Sequence, residues 1–560
     1  MKTAQLLNYT RDQWVAGAGP LADIASAIDG SLVAMTGSGG LDFASMLHHA
    51  RSVGGPALRK LTFHDRARII KGLGLAILAR KEELYELNYL TGATRKDGWI
   101  DIEGGAGTLL SFSSKGRREL PDAHVLLDGA LEPLSKSGTF IGQHIYSPMH
   151  GAAVHINAFN FPVWGMLEKL APTLLAGIPA IVEPASSTAY LCEAAFRVMI
   201  DSDLLPTGAV QLIVGGVGDL FDHLTGQDIV SFTGSASTAL KLRSHAVVTR
   251  ESVKFVAEQD SLNASILGPD AAPGSPEFDL FVTEVVNEMT VKAGQKCTAI
   301  RRGIAPAATL DAVEAAIRDK LAATQVGDPR DKASRMGALV SCAQRDDVRS
   351  QVRKLTDAGA RIVSGDLAAE HGMAGGAFMA PILLRADDPW AASTVHDVEA
   401  FGPVSTIMPY RDLADAIALA NRGMGSLALS LFTHSPNAAR EFIQGAAAWH
   451  GRMLVINRDN AAESTGHGSP LPVLVHGGPG RAGGSEEMGG VRGVKHYMQR
   501  TAIQSTPAMI AAISEQYIPD GPKKFLDAHP FRKRMSELAI GDTLRTAART
   551  VTIADIEHFA

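Results

Sequence analysis

The chain has 560 residues, is 46% hydrophobic and 20% charged, and carries a net charge of -6. Its length exceeds one hydrophobic core and implies two or three units of ordinary globular composition. The acidic balance excludes a nucleic-acid or anionic-membrane surface, which needs a basic excess.

The N-terminal MKTAQLLNYTRDQW has no apolar core of signal-peptide length. Residues 63–95 carry apolar positions three or four apart, among them Ala67, Ile70, Leu73, Ile77 and Leu84, and are predicted helical. FIGQHIYSP (140–148) alternates like an exposed strand, and AAVHINAFNFP (152–162) reads as a buried strand breaking at Pro162. Met166–Val182 is the most apolar region. It holds Glu168, Lys169 and two prolines, so it reads as a buried helix and strand, not a membrane span. From 163 to 260 strand and helix signals alternate. GIPAIVEP, GAVQLIVGG and DIVSFTGS are predicted strands, STAYLCEAAFRVMIDS a helix, and GDLFDHLTG a short helix. That alternation predicts a doubly wound parallel sheet. A second alternating region spans about 264–455, with helices in TLDAVEAAIRDKLAAT, DVRSQVRKLTDAG and LADAIALANRG and strands in RIVSG and SLALSLFT. Residues 464–493 form a Gly/Pro-dense loop, a disordered segment or a surface element near a site or subunit contact. After Gln516, IPDGPKK reads as a linker, and a further unit starts near 529.

Three cysteines, Cys192, Cys297 and Cys342, form no disulfide framework, and a reducing cytoplasm is the natural compartment. Cys192 falls inside an amphipathic helix and Cys342 at the start of a polar one, so core and surface positions are expected for them. His467 and His476 read as loop residues, and no Cys/His cluster offers a metal site. VGGVGDLF places Gly215, Gly216 and Gly218 between a strand and a helix, which suits a dinucleotide phosphate or simply a tight turn. FTGSAST repeats the arrangement one unit later with Gly234 and Ser235. Asn160 lies where a buried strand ends, and its amide can donate to a developing oxyanion or cap a turn. Glu258 follows the strand-like VKFVA and is a general base or a solvated loop acid. Cys297, in AGQKCTAI, sits among polar residues. Lys296 and the end of the helix before it are expected to make the setting electropositive and favour a thiolate. Nucleophile, amide donor and base together make an acyl-transfer set, and a nearby dinucleotide turns it toward hydride transfer from a thiohemiacetal.

NAFNFP, FTGS, Glu258, GQKC and EAFGPV (399–404), in this order, resemble the aldehyde dehydrogenase superfamily over roughly residues 10–505. EQDSLN after the glutamate position, TGATRKDGWIDIEGG (91–105) and the 464–484 loop are similar to one subgroup. That subgroup includes the dehydrogenase half of bifunctional ring-opening proteins of aerobic phenylacetate degradation, in which a MaoC-like hot-dog hydratase follows. The resemblance implies an α/β aldehyde dehydrogenase fold: a Rossmann-like cofactor-binding domain (1–137 and 151–263), an α/β catalytic domain (264–470) and a small β oligomerisation arm (138–150 and 486–510). Residues 517–560 would be a linker and the start of a hydratase whose catalytic segment would lie past Ala560, so no hydratase activity is expected. By the same resemblance Cys297 is the nucleophile, Asn160 and the Cys297 N–H form the oxyanion hole, and Glu258 activates the deacylating water. Glu399 and Phe401 would hold the nicotinamide ribose end, Gly234 and Ser235 the pyrophosphate side. The implied substrate is a CoA-linked semialdehyde and the implied assembly a homo-oligomer.

One departure concerns the cofactor. Glu183 stands where most members carry a lysine for the adenosine ribose, and Ser186 where NAD-preferring members often carry a glutamate. Ser186 leaves room for the 2′-phosphate of NADP, whereas an ionised Glu183 would repel it. NADP is the expected cofactor, with NAD admitted by Glu183 and a neighbouring Lys or Arg expected to reach the phosphate.

Overall fold

A computed structural model describes residues 4–518 except 370 and 487–488, and beyond 518 only 524–525, 536, 538 and 540–543. Most of the predicted linker and hydratase start, including TIADIEHFA, lies outside the described residues.

The alternating segment after 150 builds one sheet. Its parallel strands are β1 (Ala153–Ile156), β2 (Ala180–Glu183), β3 (Val210–Leu212), β4 (Ile229–Thr233) and β5 (Lys254–Glu258). They lie in the order β5-β4-β1-β2-β3, extended at β3 by the antiparallel strands Leu7–Thr10 and Gln13–Ala16. The order reverses between β1 and β4, and in doubly wound sheets the crevice at the carboxyl ends of such a pair binds ligands. β1 is buried at every position, as expected for a strand covered on both faces. Helices α1 (Pro162–Ala176) and α2 (Ala189–Asp201) cover one face with a core that includes Leu167, Leu170, Leu174 and Phe196. Val154, Ile181, Val230 and Phe232 face a separate core on the other side.

The second sheet begins where the first ends. It contains β6 (Ala264–Leu267), β7 (Arg302–Pro306), β8 (Ile382–Arg385), β9 (Val404–Tyr410), β10 (Ser426–Phe432) and β11 (His450–Ile456), parallel in the order β8-β9-β7-β6-β10-β11. Helix α4 (Pro276–Thr290) packs Phe281, Val285 and Met289 against it and leads directly to the Cys297 segment.

Two sequence expectations shift, and a third is decided between its two alternatives. The helical run 63–95 is two helices, Phe63–Ala79 and Lys81–Tyr89, because Arg80 leaves helical geometry at φ -110° and ψ 13°. The expected arm at 138–150 starts earlier. Strand Leu126–Pro133 pairs with Ile141–Pro148, which pairs with Met498–Ser505, so 126–133 does not join the first sheet. The Gly/Pro-dense loop is folded down. Ala257 donates its N–H to Ser485 Oγ, and Arg481 donates to the His396 and Asp397 carbonyls.

Helix α1 carries side chains of the site described below, and its exit is sterically exacting. Gly177 ends it in the left-handed region (φ 90°), and a Cβ there would stand 1.9 Å from Nη1 of buried Arg66. Gly177→Ala is therefore expected to destabilise the protein by at least ~1 kcal/mol in denaturant titration. An unchanged midpoint would show that Arg66 moves aside freely.

Candidate active site

Asn160 follows β1 and directly precedes the first turn of α1, where Pro162 supplies a fixed φ at the helix start. Glu258 is the last residue of β5. Cys297 follows a left-handed turn at Lys292 (φ 54°), Ala293 (φ 50°) and Gly294 (φ 64°). A Cβ at Gly294 would approach the Gly402 carbonyl to 2.1 Å, so the turn presses against the Glu399–Phe401 segment. Arg301 fastens the two. Its guanidinium donates to the carbonyls of Gly294 (2.9 Å), Lys296 (3.2 Å) and Gly402 (2.8 Å), pairs with Glu399 (3.4 Å) and lies over the Phe401 ring.

Two cavities, of about 330 and 560 Å³, share five lining residues: Ala158, Asn160, Thr233, Glu258 and Cys297. The fold thus brings the three catalytic candidates to one junction. The smaller cavity has Trp99, Ile100, Phe161, Trp164 and Leu471 as an apolar wall opposite polar groups that include Glu168, Lys169 and Lys296. The larger follows the β1/β4 crevice, past Asn157, Gly234, Ser235, Glu399 and Phe401.

Sequence reasoning missed His476. It is buried, its Nε2 lies 2.9 Å from Glu258 Oε2, and it lines the smaller cavity. Burial alone would push the Glu258 carboxyl up, but the His476 charge, the Cys297 thiol and Lys169 hold it below the usual carboxylate range. Burial lowers His476, yet Glu258 and then Glu168 outweigh it and raise the imidazole. The two shifts agree on a charged pair. The cue at the sequence level was only the placement of His476 in the loop, because its partner is more than two hundred positions away.

The environment of Cys297 differs from the expected one. Burial, followed by the Glu258 and Glu168 carboxylates, pushes its thiol well above its ordinary value. Lys296 offsets this only in part, and its ammonium is paired with buried Glu288 at 2.5 Å. The thiol therefore rests protonated against an ionised carboxylate, and Glu258 is placed to accept its proton. Glu168 and Lys169, both from α1, complete the wall. Trp164 Nε1 donates to Glu168 (2.9 Å), and Lys169 Nζ to Thr233 Oγ1 (2.6 Å).

The crevice suits a dinucleotide. Both side-chain polar atoms of buried Asn157 lack a hydrogen-bond partner at its wall. Ser235 caps helix α3 (Ala236–Arg243) at its edge. Burial raises Glu399 to about 7 despite Arg301. At Gly215 and Gly218, the expected phosphate turn, a Cβ would meet Ser38 N at 2.7 Å and the Phe43 ring at 2.4 Å, so internal packing also demands glycine there. Ser186 is exposed and Glu183 ends β2, both beyond the crevice lining. No cation contributes to Glu183, and burial raises its carboxyl to about 8. Cys192 is buried and donates to the Pro162 carbonyl, as a core thiol. Among the described residues no helix is long and apolar enough to cross a membrane.

The sequence pattern of the "Aldehyde dehydrogenase family" matches residues 14–503. The chain is 43% identical over 479 residues, 85% of it, to 93% of a 3,4-dehydroadipyl-CoA semialdehyde dehydrogenase of Aromatoleum evansii. It is 54% identical over 228 residues, 40% of it, to 67% of the Klebsiella aerogenes protein MaoC. The fold superposes on lactaldehyde dehydrogenase from Escherichia coli with a TM-score of 0.77 at 21% identity, covering 90% of this chain and 99% of that one.

A carboxyl at Glu183 raised to about 8 is neutral below that pH and anionic above it. If it adjoins the adenosine end, the apparent KM for NADP is expected to climb above pH 8 while that for NAD changes little. Glu183→Gln should flatten the NADP profile, and parallel profiles in both proteins would remove Glu183 from cofactor choice.

Proposed function

The chain belongs to the aldehyde dehydrogenase family, and on that premise we propose that it oxidises a CoA-linked semialdehyde from aromatic ring cleavage to the carboxylic acid with NADP. The observation that carries this reading is the junction of two cavities at Cys297, Glu258 and Asn160. One cavity is apolar enough for an acyl chain. The other has the donors and aromatic wall that suit a dinucleotide, with Asn157, Gly234, Ser235, Glu399 and Phe401 as its holders.

Glu258 takes the Cys297 proton as sulfur adds to the aldehyde carbon. The Asn160 amide and the Cys297 backbone N–H receive the developing oxyanion. Glu399 and Phe401 would hold a nicotinamide ring beside Cys297, and that group would supply the hydride acceptor for this oxidation. What remains is a thioester on Cys297. Once Glu258 has released that first proton to solvent, it removes a proton from the water that attacks the thioester and passes it to the departing Cys297 sulfur, so the acid leaves with the thiol restored. His476 and Lys169 favour the ionised state that both proton transfers require. A carboxylate base beside the thioester favours hydrolysis over transfer to free CoA.

The 43%-identical relative supports a CoA-linked semialdehyde, and its name favours 3,4-dehydroadipyl-CoA semialdehyde as a second reading. The similarity of 529–560 to a hydratase start favours the longer ring-opened semialdehyde of phenylacetate catabolism. We place the enzyme in the cytoplasm as a homo-oligomer joined through the three-stranded arm.

Initial rates with NAD and NADP, against a CoA-linked semialdehyde and a simple aliphatic aldehyde, test the reading. Turnover with the CoA substrate and NADP, without added CoA, is expected. A requirement for free CoA points to an acylating enzyme, and no reduced cofactor with any aldehyde points to an inactive scaffold. Glu258→Gln should slow the first burst of reduced cofactor, because no carboxylate then takes the Cys297 proton, and lose about 10²–10⁴-fold in steady turnover. Wild-type turnover in that variant would remove Glu258 from water activation.

A further inference from the structure

Cys297, Glu258 and His476 differ from the rest of the site in one respect. They present a sulfur, a carboxylate oxygen and an imidazole nitrogen, all within 4.8 Å of one another. The sequence offered no metal cluster because the three come from a turn, a strand end and a folded-back loop. Sulfur, nitrogen and oxygen from cysteine, histidine and glutamate are the donors zinc takes in sites that keep one open position. At bond lengths of about 2.0–2.3 Å, tetrahedral donors stand roughly 3.3–3.8 Å apart. His476 and Glu258, 2.9 Å apart, would open slightly, and the widest donor pair, at most 4.8 Å, would close by roughly an ångström. We propose that these three side chains form a binding site for a thiophilic divalent cation of the zinc class, and that the cation reversibly silences the nucleophile.

A divalent cation would be held by thiolate, neutral imidazole and carboxylate, with any proton on the sulfur or the imidazole passing to solvent as it binds. The other charged groups facing the cluster are Glu168, Lys169, Arg452 and Lys296, the last paired with Glu288. Glu168 offsets part of the cationic field of Lys169 and Arg452. The smaller cavity supplies the entry path and room for a water as fourth ligand. Because ligating sulfur and imidazole must be deprotonated, affinity falls as pH falls.

The test is zinc binding to the full chain by competition with a chromophoric chelator, in the absence of cofactor and aldehyde. Binding is thereby read apart from the proposed activity. One equivalent is expected, bound more weakly at lower pH, with loss of activity in parallel and recovery on chelation. Cys297→Ala and His476→Ala should each weaken that equivalent at least tenfold. X-ray absorption of the zinc-loaded wild-type protein should show one sulfur and one imidazole. This readout holds even if a His476 variant fails to fold, which circular dichroism would reveal. Unchanged binding in either folded variant, the absence of a stoichiometric site, or a spectrum lacking sulfur or imidazole would overturn the proposal.

Discussion

The site depends on an ionised carboxylate held away from water. Glu258 is 2% exposed, a position where an isolated carboxyl would keep its proton. His476 at 2.9 Å reverses that preference. The cost of burying this pair explains much of the surrounding architecture. The loop after β11 must return to the end of β5 to deliver the imidazole. It does so with contacts that admit no bulk: a Cβ at Gly483 would stand 1.9 Å from the Ala257 carbonyl, one residue before Glu258. Arg481 and Ser485 fix the same return. What reads in sequence as a run of small residues is a close-packed strap bringing a charge to its partner.

Arg301 performs the matching task on the other side. Fully inside the protein, it joins the turn before Cys297 to the segment bearing Glu399 and Phe401. Cys297, proposed as the nucleophile, and the residues proposed for the nicotinamide end are thus one mechanical unit, and the β1/β4 crevice meets that unit at Asn160. A chain whose sheets carry separate cores needs such a fastener, since packing within each sheet says nothing about their register with one another.

The doubly wound sheet was legible because β1, β2 and β4 are apolar runs broken by Gly, Pro and helical periodicity, signals that depend only on neighbours in sequence. Cys297, Glu258 and Asn160 stood out because they end or follow such runs. The N-terminal strands at 7–16 were not legible, since they are short additions to a sheet edge formed far along the chain. His476 was invisible for the same reason. A histidine in a loop gains meaning only from a carboxylate that folding places beside it. The protonated state of Cys297 went wrong locally: Lys296 is adjacent in sequence, but its ammonium is paired with Glu288. Gly215 and Gly218 fitted a phosphate turn by type, and the close approach of Ser38 and Phe43 to them could not be read from their neighbours in sequence.

The central claim is that the buried carboxylate beside Cys297 makes this a water-using dehydrogenase. Turnover in ¹⁸O-enriched water, without free CoA, tests it most directly through the mass of the carboxylic acid formed. The account predicts one solvent oxygen in each new carboxylate. Product formation only with added CoA, or an acid carrying no solvent oxygen, would contradict it.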